Sequence, residues 1–286
     1  MNLLGMTTRR GVPVNAGTGS TDPSAASPAL DIEPEPQVTT LAEAPGLRVA
    51  TRRIFGPPAA SPRAWFGQIR DTPLGARAIF GDVAGDPRCA PDRVTDVLTA
   101  FAAAAPSAPT LSEIALQVAL SLREDHRRGH RALVRLLLVA HVGDPTGIGS
   151  LTLINRGYPT PLLVVGRRVL GLEPAFTTPP IGALAPGSLR PSELAVTIGL
   201  GERVLLYTDD PAEASDTGGD RYPLVERAPD RLHGDFADAL DRLAVDIEAH
   251  SDASFTGDAA LFLLESEQPP QPDQPRQPEP PGRPEA

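Results

Sequence analysis

Two carboxylates stand where hydrophobic runs of the chain stop. Asp82 sits in Gly81-Asp82-Val83 at the close of one run, and Asp209 follows another in Tyr207-Thr208-Asp209-Asp210. Each run reads as a β-strand, so each brings an acidic side chain to a sheet edge. Carboxylates that converge at such an edge form a site for a hard divalent cation, because Mg2+ and Mn2+ prefer oxygen ligands and retain several waters. The same residues also suit a plainer role, since aspartate after a strand starts a turn by bonding its own backbone. Spacing alone leaves both roles open.

The elements that must position these residues are legible from periodicity. Residues 47–54, 64–69 and 77–83 are β-rich runs separated by Gly and Pro, and two helices follow. The first spans 91–105, with Val94, Val97, Leu98 and Phe101 on one face and Pro106 ending it. The second opens on a capping box, Thr110 with Glu113, and carries Leu111, Ile114, Val118 and Leu122 as its apolar stripe. Runs at 133–142, 150–155, 161–165 and 169–172 then read as an antiparallel meander, and 194–198 with 203–208 as a hairpin across Gly199-Leu200-Gly201-Glu202. A long helix over 230–250 and a strand over 259–264 complete the pattern. Strands, two successive helices, many strands, a helix and a strand argue an α+β fold, since single helices alternating with strands would argue a parallel sheet.

Composition bounds the rest. A chain of 286 residues with 41 % hydrophobic content supports one substantial core, which the sequence places at 46–266. Residues 1–45 and 267–286 read as disordered tails, the second with eight prolines that favour extended polyproline II. The net charge of −10 opposes binding to nucleic acid or anionic lipid. A single cysteine, Cys89, rules out an intramolecular disulfide framework and fits a reducing cytoplasm. No run reaches the roughly 18 apolar residues that span a bilayer, and no signal peptide is read at the N-terminus. His126 and His130 have a zinc-like spacing but no third ligand nearby.

Four segments carry a resemblance to a known family. Gly81-Asp82-Val83-Ala84-Gly85 resembles the GDVxG segment of the SpoIIE/RsbU-type branch of the metal-dependent PPM (PP2C-like) serine/threonine phosphatases. Asn155-Arg156-Gly157-Tyr158-Pro159-Thr160-Pro161-Leu162-Leu163 is similar to their NAGHxPxLL segment, Pro180-Ile181-Gly182 to their PLG turn, and the stretch from Gly201 to Asp209 to GDxLLLYTDG. Order and spacing match over roughly residues 47–264. The resemblance implies an αββα sandwich of two mainly antiparallel sheets flanked by helices, with a binuclear Mn2+ or Mg2+ centre that hydrolyses phosphoserine or phosphothreonine. By that resemblance Asp82 bridges both metals, Val83 offers its backbone carbonyl, and Asp209 holds one metal. The substrate it implies is a phosphoprotein, such as an anti-anti-sigma factor in bacterial signalling.

The chain departs from the family pattern where ligands are expected. The GGDxYD segment falls on Pro62-Arg63-Ala64-Trp65-Phe66-Gly67, so both acidic positions are lost as Ala64 and Gly67. The late DD pair falls on Gly257-Asp258, leaving Asp258 as a metal ligand only if a bulge or loop turns it inward. Asp210 replaces the glycine after Asp209, and Asp86-Pro87 replaces the usual basic residue. Fewer carboxylates hold a dication more weakly. Two functions are therefore expected from different classes: a weakened metal-dependent phosphatase, or a phosphatase-like domain kept as a binding or regulatory module.

Overall fold

The computed structural model describes residues 30–31, 39–55, 64–85, 88–123, 133–143, 148–208, 211–212, 214–251 and 258–267. Among the described residues, twelve strands form two six-stranded sheets. In chain order the strands are β1 (Leu30–Asp31), β2 (Thr40–Ala44), β3 (Leu47–Phe55), β4 (Ala64–Thr72), β5 (Gly75–Ala84), β6 (Leu133–Gly143) and β7 (Ile148–Arg156). They continue with β8 (Leu162–Val165), β9 (Arg168–Gly171), β10 (Leu194–Gly199), β11 (Arg203–Tyr207) and β12 (Asp258–Ser266). The first sheet runs β1-β4-β5-β6-β7-β10, the second β2-β3-β12-β11-β8-β9, and neighbours pair antiparallel.

Period-two alternation sorts the side chains into three apolar layers. Ala76, Ala78 and Phe80 of β5 and Leu137 and Val139 of β6 face the second sheet, where Phe80 meets Phe262 at 4.8 Å between ring centroids. Ile79 and Val83, with Leu136 and Leu138, face the helices α1 (Ala90–Ala104) and α2 (Leu111–Ser121). The second sheet is backed by α3 (Leu224–Arg231) and α4 (Ala239–His250) through Leu205, Leu261 and Leu263. The αββα arrangement follows from these three layers.

Local chemistry fixes the helix ends. The Thr110 side chain accepts from the Glu113 backbone N–H, as the capping box predicts. Arg77, on the helix face of β5, donates to the carbonyls of Ala105 (2.9 Å) and Ala108 (2.6 Å). A cation there satisfies carbonyls at the end of α1 and ties that helix to the strand that carries Asp82.

Three expectations are corrected. β10 and β11 do not form a hairpin: β10 pairs with β7 in the first sheet, while β11 lies between β12 and β8 in the second. The half-buried alternation of β10 suits an edge, whereas β11 is buried at every residue, as a central strand must be. The meander is likewise cut in two, with β6 and β7 in one sheet and β8 and β9 in the other. The long helix over 230–250 is broken between α3 and α4, because Gly234 adopts φ +81° and Arg242 donates to the carbonyls of Arg231 and Asp235 in the connection. β1 and β2 also fall ahead of the boundary expected at residue 46, and the turn into β3 uses Gly46 at φ +80°. The stretch 268–286 and the pair His126 and His130 lie outside the described residues.

At the end of the sandwich remote from Asp82, His141 is 1 % exposed and its Nε2 lies 3.3 Å from the Ser266 hydroxyl. A Cβ on Gly149 would fall 2.4 Å from that nitrogen, so glycine makes the room for the ring. Burial holds the imidazole below its ordinary value of 6.5. A depressed native pKa gives stability that is complete above the unfolded value and lost as pH falls through the native one. The melting temperature should therefore drop between about pH 7 and about pH 5 by more in the wild type than in His141→Gln; parallel curves would refute this role.

Candidate functional site

Gly81 sets up the site by what it lacks. A Cβ there would lie 2.2 Å from the Phe66 ring and 2.4 Å from the Arg135 carbonyl, so only glycine lets β4 and β6 close on β5. The next residue, Asp82, falls on the face between the sheets and is fully buried. It pairs in register with Arg135 of β6 on one side and Trp65 of β4 on the other. Arg135 Nε donates to Asp82 Oδ1 at 3.0 Å and lies 3.4 Å from Oδ2. The Tyr158 hydroxyl donates to the same Oδ1, and the Arg135 guanidinium stacks 4.8 Å from the Tyr158 ring centroid. Carboxylate, guanidinium and phenol thus form one closed cluster, with the Arg135 side chain only 12 % exposed.

The turn after β7 delivers Tyr158. Asn155 accepts from the Tyr158 backbone N–H and donates its amide to the carbonyls of Tyr158 and Pro159, all at 2.9 Å. Gly157 takes φ +90°, and a Cβ on it would press to 2.7 Å from Pro180. Pro180-Ile181-Gly182 is locked in turn by Ile181, which exchanges both backbone hydrogen bonds with Val134 at 2.9 Å. Two of the four chemistry-bearing segments therefore meet beside Asp82. A surface cavity of about 370 Å³ opens there, lined by Asn155, Gly157, Tyr158, Thr160, Thr177 and Pro179 among others.

The remaining expected residues are placed as follows. Val83 is buried against the helices, on the opposite face from Asp82. Because Val134 directs its backbone groups to Ile181, the Val83 carbonyl points away from β6 and towards Ala64 of β4. Asp209 and Asp210, which follow Thr208 in the chain, lie outside the described residues, while Thr208 exchanges hydrogen bonds with the Ala260 backbone at 3.2 and 3.3 Å. β11 nevertheless ends at the Tyr158 edge of the sandwich, since Leu205 pairs with Leu162. Asp258 opens β12 opposite Phe55, but its side chain, like Gly257, Asp86 and Pro87, lies outside the described residues. Ala64 and Gly67 sit opposite Val83 and Phe80 and bring no side-chain oxygen to the edge. Among the described residues no three of His, Cys, Asp and Glu converge. Cys89, at the start of α1, is half-buried.

Comparison with known proteins now bears on this geometry. The profile of the family described as Stage II sporulation protein E (SpoIIE) matches residues 74–267, more than half of the chain. The chain belongs to the SpoIIE family. Its fold is that of PPM-type serine/threonine phosphatase domains. The RsbU and RsbW domains of Rv1364c from Mycobacterium tuberculosis superpose with a TM-score of 0.57 at 19 % identity, over 79 % of this chain and 63 % of that one. The chain thus spans 63 % of the length of that structure. The catalytic domain of the serine/threonine phosphatase PstP, solved with two manganese ions, gives 0.55 at 14 % identity over 77 % and 97 % of the two chains. The SpoIIE phosphatase domain of Bacillus subtilis gives 0.52 at 12 % identity over 83 % and 100 %. No match was found among curated proteins.

Neither Arg135 nor Tyr158 stands among the residues that the sequence marks for chemistry in this SpoIIE-family domain. A signal existed, because Arg135 is the only charged residue in the run 133–140, and a charge within an apolar strand needs a partner. Removing one member of a buried pair costs about 3–5 kcal/mol, since the other charge is left unneutralised. Arg135→Met is expected to lose stability on that scale in urea unfolding. Combined with Asp82→Leu it should lose less than the sum of the two single losses; strict additivity would show that the pair is not coupled.

Proposed function

We propose that this SpoIIE-family domain acts as a metal-independent binding module for a protein partner, rather than as a Mn2+- or Mg2+-dependent phosphatase. One observation carries the reading: the buried Asp82 carboxylate is already neutralised and hydrogen-bonded by Arg135 and Tyr158. A dication bridged by Asp82 would have to displace a guanidinium that is itself nearly buried, and would set two cations against one carboxylate. Ala64 and Gly67 supply no side-chain oxygen to offset that repulsion. Asp209 and Asp258, with the Val83 carbonyl, are the other ligands that the family resemblance assigns. With Asp82 committed to Arg135, they offer two carboxylates to two divalent ions, and fewer carboxylates hold a dication more weakly. The residues present do not fit a binuclear centre.

What remains is an αββα surface with a cavity beside Tyr158. By resemblance the partner is a regulatory phosphoprotein of the anti-anti-sigma type, met in the cytoplasm. Support for that compartment comes from the lone cysteine and from the absence, among the described residues, of any helix long and apolar enough to cross a membrane. Hydrolysis keeps one observation in its favour, because Asp82 is retained at the strand end where β11 also terminates.

The two readings separate on metal. Wild-type protein should release no phosphate from p-nitrophenyl phosphate or a phosphoserine peptide when Mn2+ is raised to millimolar concentration. Titration calorimetry should show at least about tenfold tighter Mn2+ binding in Arg135→Ser than in the wild type, because the competing cation is gone. Metal-dependent turnover by the wild type, abolished in Asp82→Asn, would overturn the proposal.

A further inference from the structure

On the opposite face of the first sheet lies a second feature with a polar centre. Arg156 ends β7 and shares the helix-facing side with Ile154, whereas Asn155 faces the other sheet. Its side chain is buried, with the residue 8 % exposed, and Nε donates to the Pro179 carbonyl at 3.1 Å. No carboxylate among the described residues pairs with it, and burial alone pulls its pKa below the ordinary arginine value. Guanidinium groups held this way are costly, and an anion in fork geometry would recover that cost.

Arg156 lines a pocket of about 150 Å³ between α2 and the segment 181–191. Leu116, Ala119, Ile181, Leu184 and Leu189 give it apolar walls. Leu116 and Leu184 remain 40 % and 48 % exposed, so the pocket opens to solvent along an apolar mouth. Glu113 and Arg190, both exposed, also line it and offset each other in formal charge. A cavity of that size accepts one six-membered ring. Apolar walls around a single buried cation select a ligand with the matching division: a compact apolar body and one carboxylate.

We propose that the pocket between α2 and residues 181–191 is a binding site for a small apolar carboxylate, with Arg156 as its anion anchor. The site is separated from Asp82 by the thickness of the sheet and needs neither metal nor hydrolysis. Inorganic phosphate offers the charge but nothing for the apolar walls.

Titration calorimetry on the full chain with benzoate, benzamide and inorganic phosphate tests this. Benzoate should bind saturably, benzamide at least about tenfold more weakly because it cannot complete the charged pair, and phosphate more weakly than benzoate. Arg156→Gln should abolish the preference for benzoate over benzamide. Leu184→Glu, at the exposed mouth, should weaken benzoate while leaving the melting temperature unchanged, so it decides the matter if Arg156→Gln fails to fold. Equal binding of benzoate and benzamide, phosphate binding as tight as benzoate, undiminished benzoate binding in either variant, or no saturable binding to the wild type would overturn the proposal.

Discussion

A carboxylate with no access to water must be neutralised, and which cation does so decides what its site can do. Asp82 lies between two sheets with zero exposure. In this chain the neighbour across the strand is Arg135, and the geometry of adjacent antiparallel strands holds its Nε at hydrogen-bond distance. The pair is therefore built by the register of the sheet. Tyr158 completes it from a turn that Asn155, Gly157 and Pro180 fix from three sides. An internal guanidinium stabilises the strand end without supplying an open coordination position, a hydroxide or a second positive charge, which are what metal-assisted phosphoryl transfer requires.

The rest of the architecture can be understood as support for that strand end. Gly81 lets Phe66 and β6 approach β5, and the layer between the sheets buries Asp82 beneath Phe80 and its neighbours. Arg77, on the other face of β5, anchors α1 through two carbonyls. Alternation along β7 then gives the two faces different tasks: Asn155 shapes the Asp82 side, and Arg156, one residue on, stands beneath α2. Adjacent residues in a strand serve separate sites because their side chains point in opposite directions.

Much of this fold was legible in the sequence, wherever the signal was local. The capping box at Thr110, the β-rich runs around Asp82 and the glycine-bearing turns needed only neighbouring residues to be read. The hairpin expected across residues 199–202 failed because both strands are hydrophobic, and only the partners on either side send β10 to one sheet and β11 to the other. Gly234 broke a helix whose apolar stripe otherwise continued through it, and Leu232 and Phe236 still pack in the same layer. At the site, the motif around Asp82 singled out a carboxylate for metal binding, and the structure buries it against an arginine instead. Its partner was hidden, since Arg135 is 53 residues away and becomes adjacent only through strand register. An arginine inside an apolar strand was the available clue, and it pointed to a buried acid without saying which one.

In this structure Arg135, and not a metal, holds Asp82. Proton–nitrogen NMR of the Arg135 Nε–H tests it most directly, because Mn2+ bound at Asp82 would broaden that signal beyond detection. A guanidinium-held Asp82 should give a protected Nε–H resonance that keeps its intensity as Mn2+ is titrated to millimolar concentration. Selective loss of that resonance, together with the backbone amides of Gly81 and Val83, at low Mn2+ would contradict it.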